Sequence, residues 1–312
     1  MATAPQPSGP KTATRHRGLT LHQKRTLWAW GALAVPLAFF VIVRMAPTLY
    51  AMHISLYDWQ ILADEQTWIG LANYKQLFQD KVFWQSLKNT FVYVLVGVPA
   101  QITIGLSVAL LIQRLNKFQG VFRMLYFIPY VTSSVAVAWV WRWIMQEHGG
   151  LFNQILLGLG FPAQKLLGSP DQAIYVIIAA IVWQGLGFSM VIFLAGLEAI
   201  PQTFYEAAEI DGANGWKRFW HITFPLLNPT IVFSALMGTI RYLQVFTEVL
   251  NMSSQGAGGP LNSTKTLVLF IYEEAFKSFN LSYASATTVV LFVIILVLTI
   301  VQSKVITRKF EY

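Results

Sequence analysis

The hydrophobic positions of the chain fall into six long runs, each bounded by charged or turn-forming residues. A helix needs about 20 apolar residues to cross the roughly 30 Å hydrocarbon core of a bilayer, and every run reaches that length. The runs are residues 27–50, 82–111, 121–145, 173–200, 230–252 and 281–305. The pattern therefore predicts an all-α integral membrane protein with six transmembrane helices.

Composition supports this prediction and removes several kinds of site. Apolar residues make up 55% and charged residues 12% of the 312 residues, against about 45–50% and 25% in a soluble domain. The chain has no cysteine, which excludes disulfides and thiolate metal sites. It has no Gly-x-x-x-x-Gly-Lys-[Ser/Thr] loop for nucleotide phosphates, and its five histidines are scattered. We therefore expect no catalytic residue, no metal site and no enzyme activity in this chain.

Residues 1–26 are polar and basic and show no apolar periodicity, which predicts a mobile cytoplasmic N-terminal tail. The apolar run that follows is too long for the hydrophobic segment of a signal peptide, so it is expected to be a retained first span. Residues 27–312 are then a single transmembrane domain, because no loop between the spans is long enough to bury a soluble core.

The distribution of lysine and arginine predicts the orientation. With the N-terminus inside, 13 of these residues lie in inside segments, six lie in outside segments and three lie within spans. The positive-inside rule thus predicts a multi-pass protein with both termini in the cytoplasm. Since topology accounts for most of the net charge of +8, we expect the lipid bilayer and no nucleic acid among the partners.

The inside loop between the fourth and fifth spans, residues 201–229, is predicted to form two short helices joined by a bend. Pro201 suits the first turn of a helix, and Gly212 suits a helix end that needs a positive φ. Asn214 is a candidate cap for the second helix, which Pro225 is expected to terminate. On composition alone, an amphipathic loop lying on the membrane surface is an alternative interpretation.

This loop resembles the EAA signature of permease subunits of binding-protein-dependent ABC importers. The matching residues are Glu206, Ala207, Ala208 and Gly212, followed after nine residues by Ile222-x-x-Pro225. Phe224 stands where the family usually has leucine. Further stretches similar to the maltose-type carbohydrate branch are residues 54–59, 69–74, 89–90, 123–129, 141–143, 150–153, 195–201, 258–260 and 264–276.

The resemblance implies the type I ABC importer permease fold, with a cytoplasmic coupling helix between spans four and five. Carried over by position, Glu206 and Asp211 would contact an ATPase subunit. Ala207 and Ala208 would form the close-packed docking surface, and Gly212 would set the bend. The implied function is translocation of a sugar, a di- or oligosaccharide, into the cytoplasm, driven by ATP hydrolysis in partner subunits.

The implied assembly consists of a second homologous permease forming a heterodimer, two ABC ATPase subunits and an extracytoplasmic sugar-binding protein. It would lie in a prokaryotic plasma (inner) membrane. ATP and Mg would be bound by the ATPase subunits, so no cofactor is expected in this chain.

Charged and polar residues within the spans are candidates for the substrate pathway, because they are costly in lipid. Arg241 lies about 17 Å into the fifth span at 1.5 Å per residue. Gln244 and Glu248 follow at i+3 and i+7, which predicts one helical face. Polar groups beside aromatic rings also suit a sugar. The full set of pathway candidates, some of them raised by the resemblance, is Gln184, Phe188, Arg241, Gln244, Phe246, Tyr130 and Ser133.

The sequence allows other roles for the polar residues within the spans and another class of transporter. Each polar residue can instead pair between helices as a structural contact. Arg241 can bind an anionic substrate such as glycerol 3-phosphate, or it can pair with Glu248 within the membrane. A secondary transporter is a more remote alternative, and it would need more carboxylates within the spans.

Overall fold

The computed structural model describes residues 20–59, 66–115, 117–253 and 258–306. The chain divides into two units, residues 1–50 and 51–312. Helices dominate the described residues, and the only strand pair among them is a short antiparallel one between β1 (Tyr57–Asp58) and β2 (Thr67–Trp68).

The first unit contains most of helix α1 (Leu21–Ile54), which has a π-helical turn at Val41–Met45. The helix begins with a capping box, in which the Thr20 hydroxyl accepts a hydrogen bond from the Gln23 backbone N–H and the Gln23 side chain accepts one from the Thr20 N–H. Residues 21–26 are therefore helical and lead into the first span, which was predicted to begin at Leu27. The remainder of the predicted tail, residues 1–19, lies outside the described residues.

The second unit is an array of helices joined by short loops. The helices are α2 (Ala72–Gln79), α3 (Lys81–Gln113), α4 (Gln119–Val131), α5 (Ser134–Ile144), α6 (Leu151–Gly158), α7 (Ala173–Glu198), α8 (Gln202–Ile210), α9 (Gly215–Leu226), α10 (Asn228–Leu243), α11 (Thr247–Met252), α12 (Leu267–Phe276) and α13 (Leu281–Ile306). Two 3₁₀ turns, Leu166–Gly168 and Pro260–Asn262, complete the set.

Among the described helices, four are long and apolar enough to cross a membrane, namely α1, α3, α7 and α13. Two further spans are bent pairs: α4 and α5 meet at 95°, and α9 and α10 meet at 62°. Counting each pair once gives six candidate spans, the number predicted from the hydrophobic pattern. The last bent pair covers residues 215–243, however, whereas the predicted fifth run is residues 230–252. The pattern did not predict the bend between α4 and α5, because both halves are apolar. The bend between α9 and α10 lies just before the predicted fifth run.

Helix α7 is the central element of the second unit and packs against α3, α4 and α10. One apolar core joins α3, α7, α10 and α11, and includes Tyr93, Ile177 and Tyr242. A second core joins the other ends of α3 and α7 around Met190 and Phe193. Most of α7 is therefore buried against other helices of this chain.

Buried asparagines hold the loops to these helices. Asn153 donates hydrogen bonds to the backbone oxygens of Glu147 and Gln164, at 2.9 and 2.8 Å. Asn89 donates in the same way to Asn262 and Lys265. Since an unpaired buried carbonyl is costly, these side chains fix the loops that connect neighbouring helices.

Candidate functional site

The third span bends between α4 and α5, and Gln184 of α7 lies against that bend. The Gln184 side-chain amide donates to the Thr132 backbone oxygen at 3.3 Å and to the Ser134 hydroxyl at 3.2 Å. The bend leaves carbonyls at the end of α4 without helical partners, so Gln184 supplies a donor there. Gln184 is buried, whereas Ser133 is exposed at the bend and makes no side-chain cap.

Three of the predicted pathway residues meet in a cavity of about 150 Å³, here called the inner cavity. The Tyr130 and Phe188 rings are stacked there, with centroids 5.2 Å apart and planes 19° from parallel. Arg241 reaches the same cavity from α10. The arrangement combines an aromatic platform with a cationic donor, which suits a ligand that carries both C–H surfaces and polar oxygens.

Gln101 of α3, which was not among the predicted pathway residues, also lines the inner cavity. Its side-chain oxygen accepts a hydrogen bond from the Tyr242 hydroxyl at 3.3 Å. Its amide nitrogen is buried and has no hydrogen-bond partner among the described residues. The available signal was the only amide between residues 91 and 112 of α3, two residues after Pro99.

Gly185 of α7 makes room for the two polar groups of the cavity. A Cβ atom at this position would lie 2.8 Å from the Arg241 Nη1 atom and 2.8 Å from the Gln101 Oε1 atom. Only a residue without a side chain therefore lets the guanidinium and the amide approach the α7 backbone this closely.

The fifth span is interrupted just after Arg241. Helix α10 ends at Leu243, and α11 begins at Thr247. The prediction that Arg241, Gln244 and Glu248 share one continuous helical face is therefore wrong. The residues nevertheless converge, because Arg241, Gln244, Phe246 and Glu248 all line a second, more open cavity of about 370 Å³.

Arg241 and Glu248 do not form the intramembrane pair that was one alternative. Within the described residues, neither takes part in an ion pair shorter than 4.0 Å. Arg241 thus faces both cavities without a carboxylate partner, and its charge remains available to another group.

The loop between spans four and five has the predicted helix–bend–helix form. Helix α8 follows Pro201, which occupies the N-cap position, and Gly212 adopts φ +72° just beyond its end. The Asn214 side chain accepts a hydrogen bond from the Lys217 N–H at 2.9 Å and caps α9. Pro225 does not end the second helix as predicted, because the π-helical turn Phe219–Thr223 precedes it and α9 continues to Leu226.

Helix α8 has no buried residue, and two contacts join it to α9. The Tyr205 and Thr223 hydroxyls are 3.0 Å apart, and Arg218 Nη1 lies 3.4 Å from Glu209 Oε2. Glu206 and Asp211 are exposed and belong to none of the ion pairs among the described residues. Helix α8 therefore presents a free face with two unpaired carboxylates.

Comparisons with known proteins agree with this architecture. The family model described as "Binding-protein-dependent transport system inner membrane component" matches residues 101–310. The "Probable ABC transporter permease protein YesP" of Bacillus subtilis (strain 168) is 40% identical over 269 residues, which cover 85% of this chain and 84% of YesP. The "Lactose transport system permease protein LacF" of Rhizobium radiobacter is 36% identical over 277 residues, which cover 88% of this chain and 92% of LacF.

A solved structure shows the same fold. It is titled "Crystal structure of bacterial alginate ABC transporter in complex with alginate pentasaccharide-bound periplasmic protein". One of its chains aligns with a TM-score of 0.80 at 21% identity, covering 90% of this chain and 94% of that chain. The expected type I permease fold is thereby confirmed. The family match spans α7, the α8 loop and both interrupted spans, and on these grounds the chain belongs to the inner membrane components of binding-protein-dependent transport systems, as a multi-pass permease subunit of an ABC importer.

Proposed function

We propose that this permease carries a sugar, a di- or oligosaccharide, into the cytoplasm. The observation that carries the proposal is the Tyr130–Phe188 stack beside the polar groups of the inner cavity. Sugars offer C–H faces that pack on aromatic rings and hydroxyls that need hydrogen bonds. The similarity to a lactose transport permease over most of the chain supports the same substrate class.

The proposed assembly pairs this chain with a second, distinct permease, because a single chain presents one α8 helix. Two ATPase subunits would bind the α8 helices of the pair, and an extracytoplasmic sugar-binding protein would deliver the substrate. The exposed α8 face, with unpaired Glu206 and Asp211, supports docking of a basic cleft against Ala207 and Ala208. In this arrangement both termini lie in the cytoplasm, and ATP and Mg are bound by the ATPase subunits alone.

A second candidate substrate is a sugar phosphate such as glycerol 3-phosphate. The observation that favours it is Arg241, which lines the inner cavity and forms no ion pair with a described residue. A guanidinium binds phosphate oxygens in a bidentate manner, so an unpaired one is suited to that ligand.

The test is the ATPase activity of the purified complex in lipid, with its binding protein and a panel of neutral sugars and sugar phosphates. Each substrate is tested with wild type and with Arg241→Gln. The control variant is Arg142→Gln, since Arg142 also lies within a span but contacts the Asn251 backbone oxygen and the Trp139 ring instead of the cavity.

Stimulation by one neutral sugar that persists in Arg241→Gln would support the sugar assignment. Stimulation by a phosphate ester alone, abolished by Arg241→Gln and retained in Arg142→Gln, would replace it with the second candidate. A complex that no member of the panel stimulates, although its binding protein binds one of them, would contradict the proposed coupling.

A further inference from the structure

A cleft of about 650 Å³ lies where the end of α3 meets α8 and α9, here called the α3–α9 cleft. Arg114 lines it from the end of α3, Tyr205 from α8, and Trp216, Arg218 and Phe219 from α9. The cleft is separate from the inner cavity, and no step of the proposed transport function uses it.

The lining of the cleft is cationic. Arg114 is exposed and takes part in no ion pair among the described residues. Arg218 contacts Glu209 at 3.4 Å, but a guanidinium has five N–H donors, so this single long contact leaves donors for a second anion. No acidic residue appears among the described residues that line the cleft.

Exposed aromatic side chains of α9 lie beside the cleft and are suited to the level of the lipid headgroups. Trp216 and Trp220 of α9 are 71% and 44% exposed, and their rings pack edge to face at 5.7 Å. Exposed tryptophan is typical of the boundary between hydrocarbon and water. Leu111, 65% exposed, marks the last apolar turn of α3 before Arg114.

We propose that the α3–α9 cleft binds the phosphate headgroup of an anionic phospholipid from the adjacent leaflet. Arg114 and Arg218 would hold the phosphate oxygens from two sides, and Trp216 and Phe219 would pack on the glycerol and upper acyl region. Basic pockets between spans at a membrane surface bind such headgroups, and Arg is suited to phosphate. An anionic lipid would use both the cationic lining and the aromatic rim.

The bound headgroup would bridge α3 to the segment that carries α8. Arg114 belongs to the end of a long span, whereas Arg218 contacts Glu209 of α8 directly. A phosphate held by both arginines would therefore stabilise one position of α8 relative to α3, and the lipid composition of the membrane would tune how firmly α8 is held.

The test measures lipid retention by native mass spectrometry of the full complex, purified from nanodiscs that contain phosphatidylcholine and phosphatidylglycerol. The variant is Arg114→Gln. The matched control is Lys117→Gln, which removes a positive charge three residues away at a position that does not line the cleft. No binding protein, sugar or nucleotide is added, so the result does not depend on the proposed transport function.

Loss of one charge-assisted contact is expected to weaken phosphatidylglycerol binding about tenfold in Arg114→Gln, with no change in Lys117→Gln. Arg114→Lys should fall between them, because it keeps the charge and loses the bidentate geometry. Equal retention in wild type and Arg114→Gln would overturn the proposal, as would an equal loss in Lys117→Gln. Displacement of the lipid by inorganic phosphate would also overturn it, and would assign the cleft to the free anion.

Discussion

Replacing Gly185 with alanine tests whether the inner cavity is the substrate site. The new Cβ atom would lie 2.8 Å from both Arg241 Nη1 and Gln101 Oε1, which is too close for either to stay. Both atoms are ends of flexible side chains, so we expect the side chains to move and the helices to remain. Alanine is favoured over glycine in a helix by about 1 kcal/mol, and overpacking costs about 1–3 kcal/mol, so the net destabilisation is about 0–2 kcal/mol.

The effect on substrate binding is measured separately from the effect on stability. A hydrogen bond to a charged group contributes about 1.5–3 kcal/mol, so a displaced Arg241 that contacts substrate would weaken its binding about 10- to 100-fold. The assay is the substrate concentration that gives half-maximal ATPase stimulation at saturating binding protein, together with thermal unfolding of the same sample.

Two other glycines provide matched controls. A Cβ atom at Gly238, which also lines the inner cavity, would lie at an ordinary 3.5 Å from the Val98 methyl groups, so Gly238→Ala should leave substrate response unchanged. A Cβ atom at Gly187 would overlap the Tyr126 backbone oxygen, so Gly187→Ala should disturb the packing of α4 on α7 and lower the unfolding temperature. If Gly185→Ala and Gly238→Ala respond to substrate alike, the displaced groups do not bind it.

Three further predictions concern other parts of the molecule. Gly212→Ala should lower the free energy of unfolding by about 1–2 kcal/mol, and Gly212→Asn by less, because φ is +72° and nothing lies within 4 Å of the new Cβ; denaturant titration measures both. Asn153→Leu should cost about 2–4 kcal/mol in the same titration, since two loop carbonyls lose buried donors. Burial raises the pKa of Glu273, but hydrogen bonds and charges from Lys265 and Lys277 outweigh burial and hold the pKa below the ordinary 4.5. The stabilising effect of the Glu273 carboxylate is therefore present above pH 4.5 and is lost as the pH falls below that value. Glu273→Gln should make the unfolding temperature less dependent on pH over that range.

Each of these predictions has its own contrary result. If Gly212→Asn abolished coupled ATPase activity while unfolding normally, docking and not backbone strain would explain the need for glycine. An Asn153→Leu protein as stable as wild type would mean that water or another donor satisfies the loop carbonyls. For Glu273, the neighbouring Glu274 is the complication, because burial and the nearby Asp80 raise its pKa and give it the opposite pH dependence. A wild-type acid transition that Glu273→Gln leaves unchanged would contradict the argument from the lysines.

The hydrophobic pattern predicted the spans because the length of an apolar run reports directly on bilayer thickness. It missed the bend in the third span and the interruption between α10 and α11 for the same reason: hydropathy does not report a change in helix direction when the residues on both sides stay apolar. At the third span the bend follows Pro129 and falls at Thr132 and Ser133, where the backbone leaves the helix. At the fifth span, Gln244 and Phe246 are outside helical geometry although the run continues through them.

The sequence predicted some residues of the inner cavity and missed others. Tyr130, Phe188 and Arg241 meet in one cavity because each lies near the middle of its span, and depth can be counted from the sequence. Gln184 was singled out for the same depth, but the structure gives it a partner in the backbone of the third span. Gln101 was missed because only the tertiary packing of α3 on α7 and α10 shows which way a lone amide points.

Two adjacent residues of α7 connect the interruptions of both broken spans. Gln184 donates to the carbonyl at the bend of the third span, and Gly185 admits Arg241 just before the end of α10 in the fifth. The same helix ends at Glu198, four residues before α8 begins at Gln202. Since closely packed interiors transmit strain, we expect a movement of α8 to reach both interruptions through α7. We therefore expect substitutions at positions 184 and 185 to alter ATPase stimulation and substrate response together, whereas substitutions on the free face of α8 should alter stimulation alone.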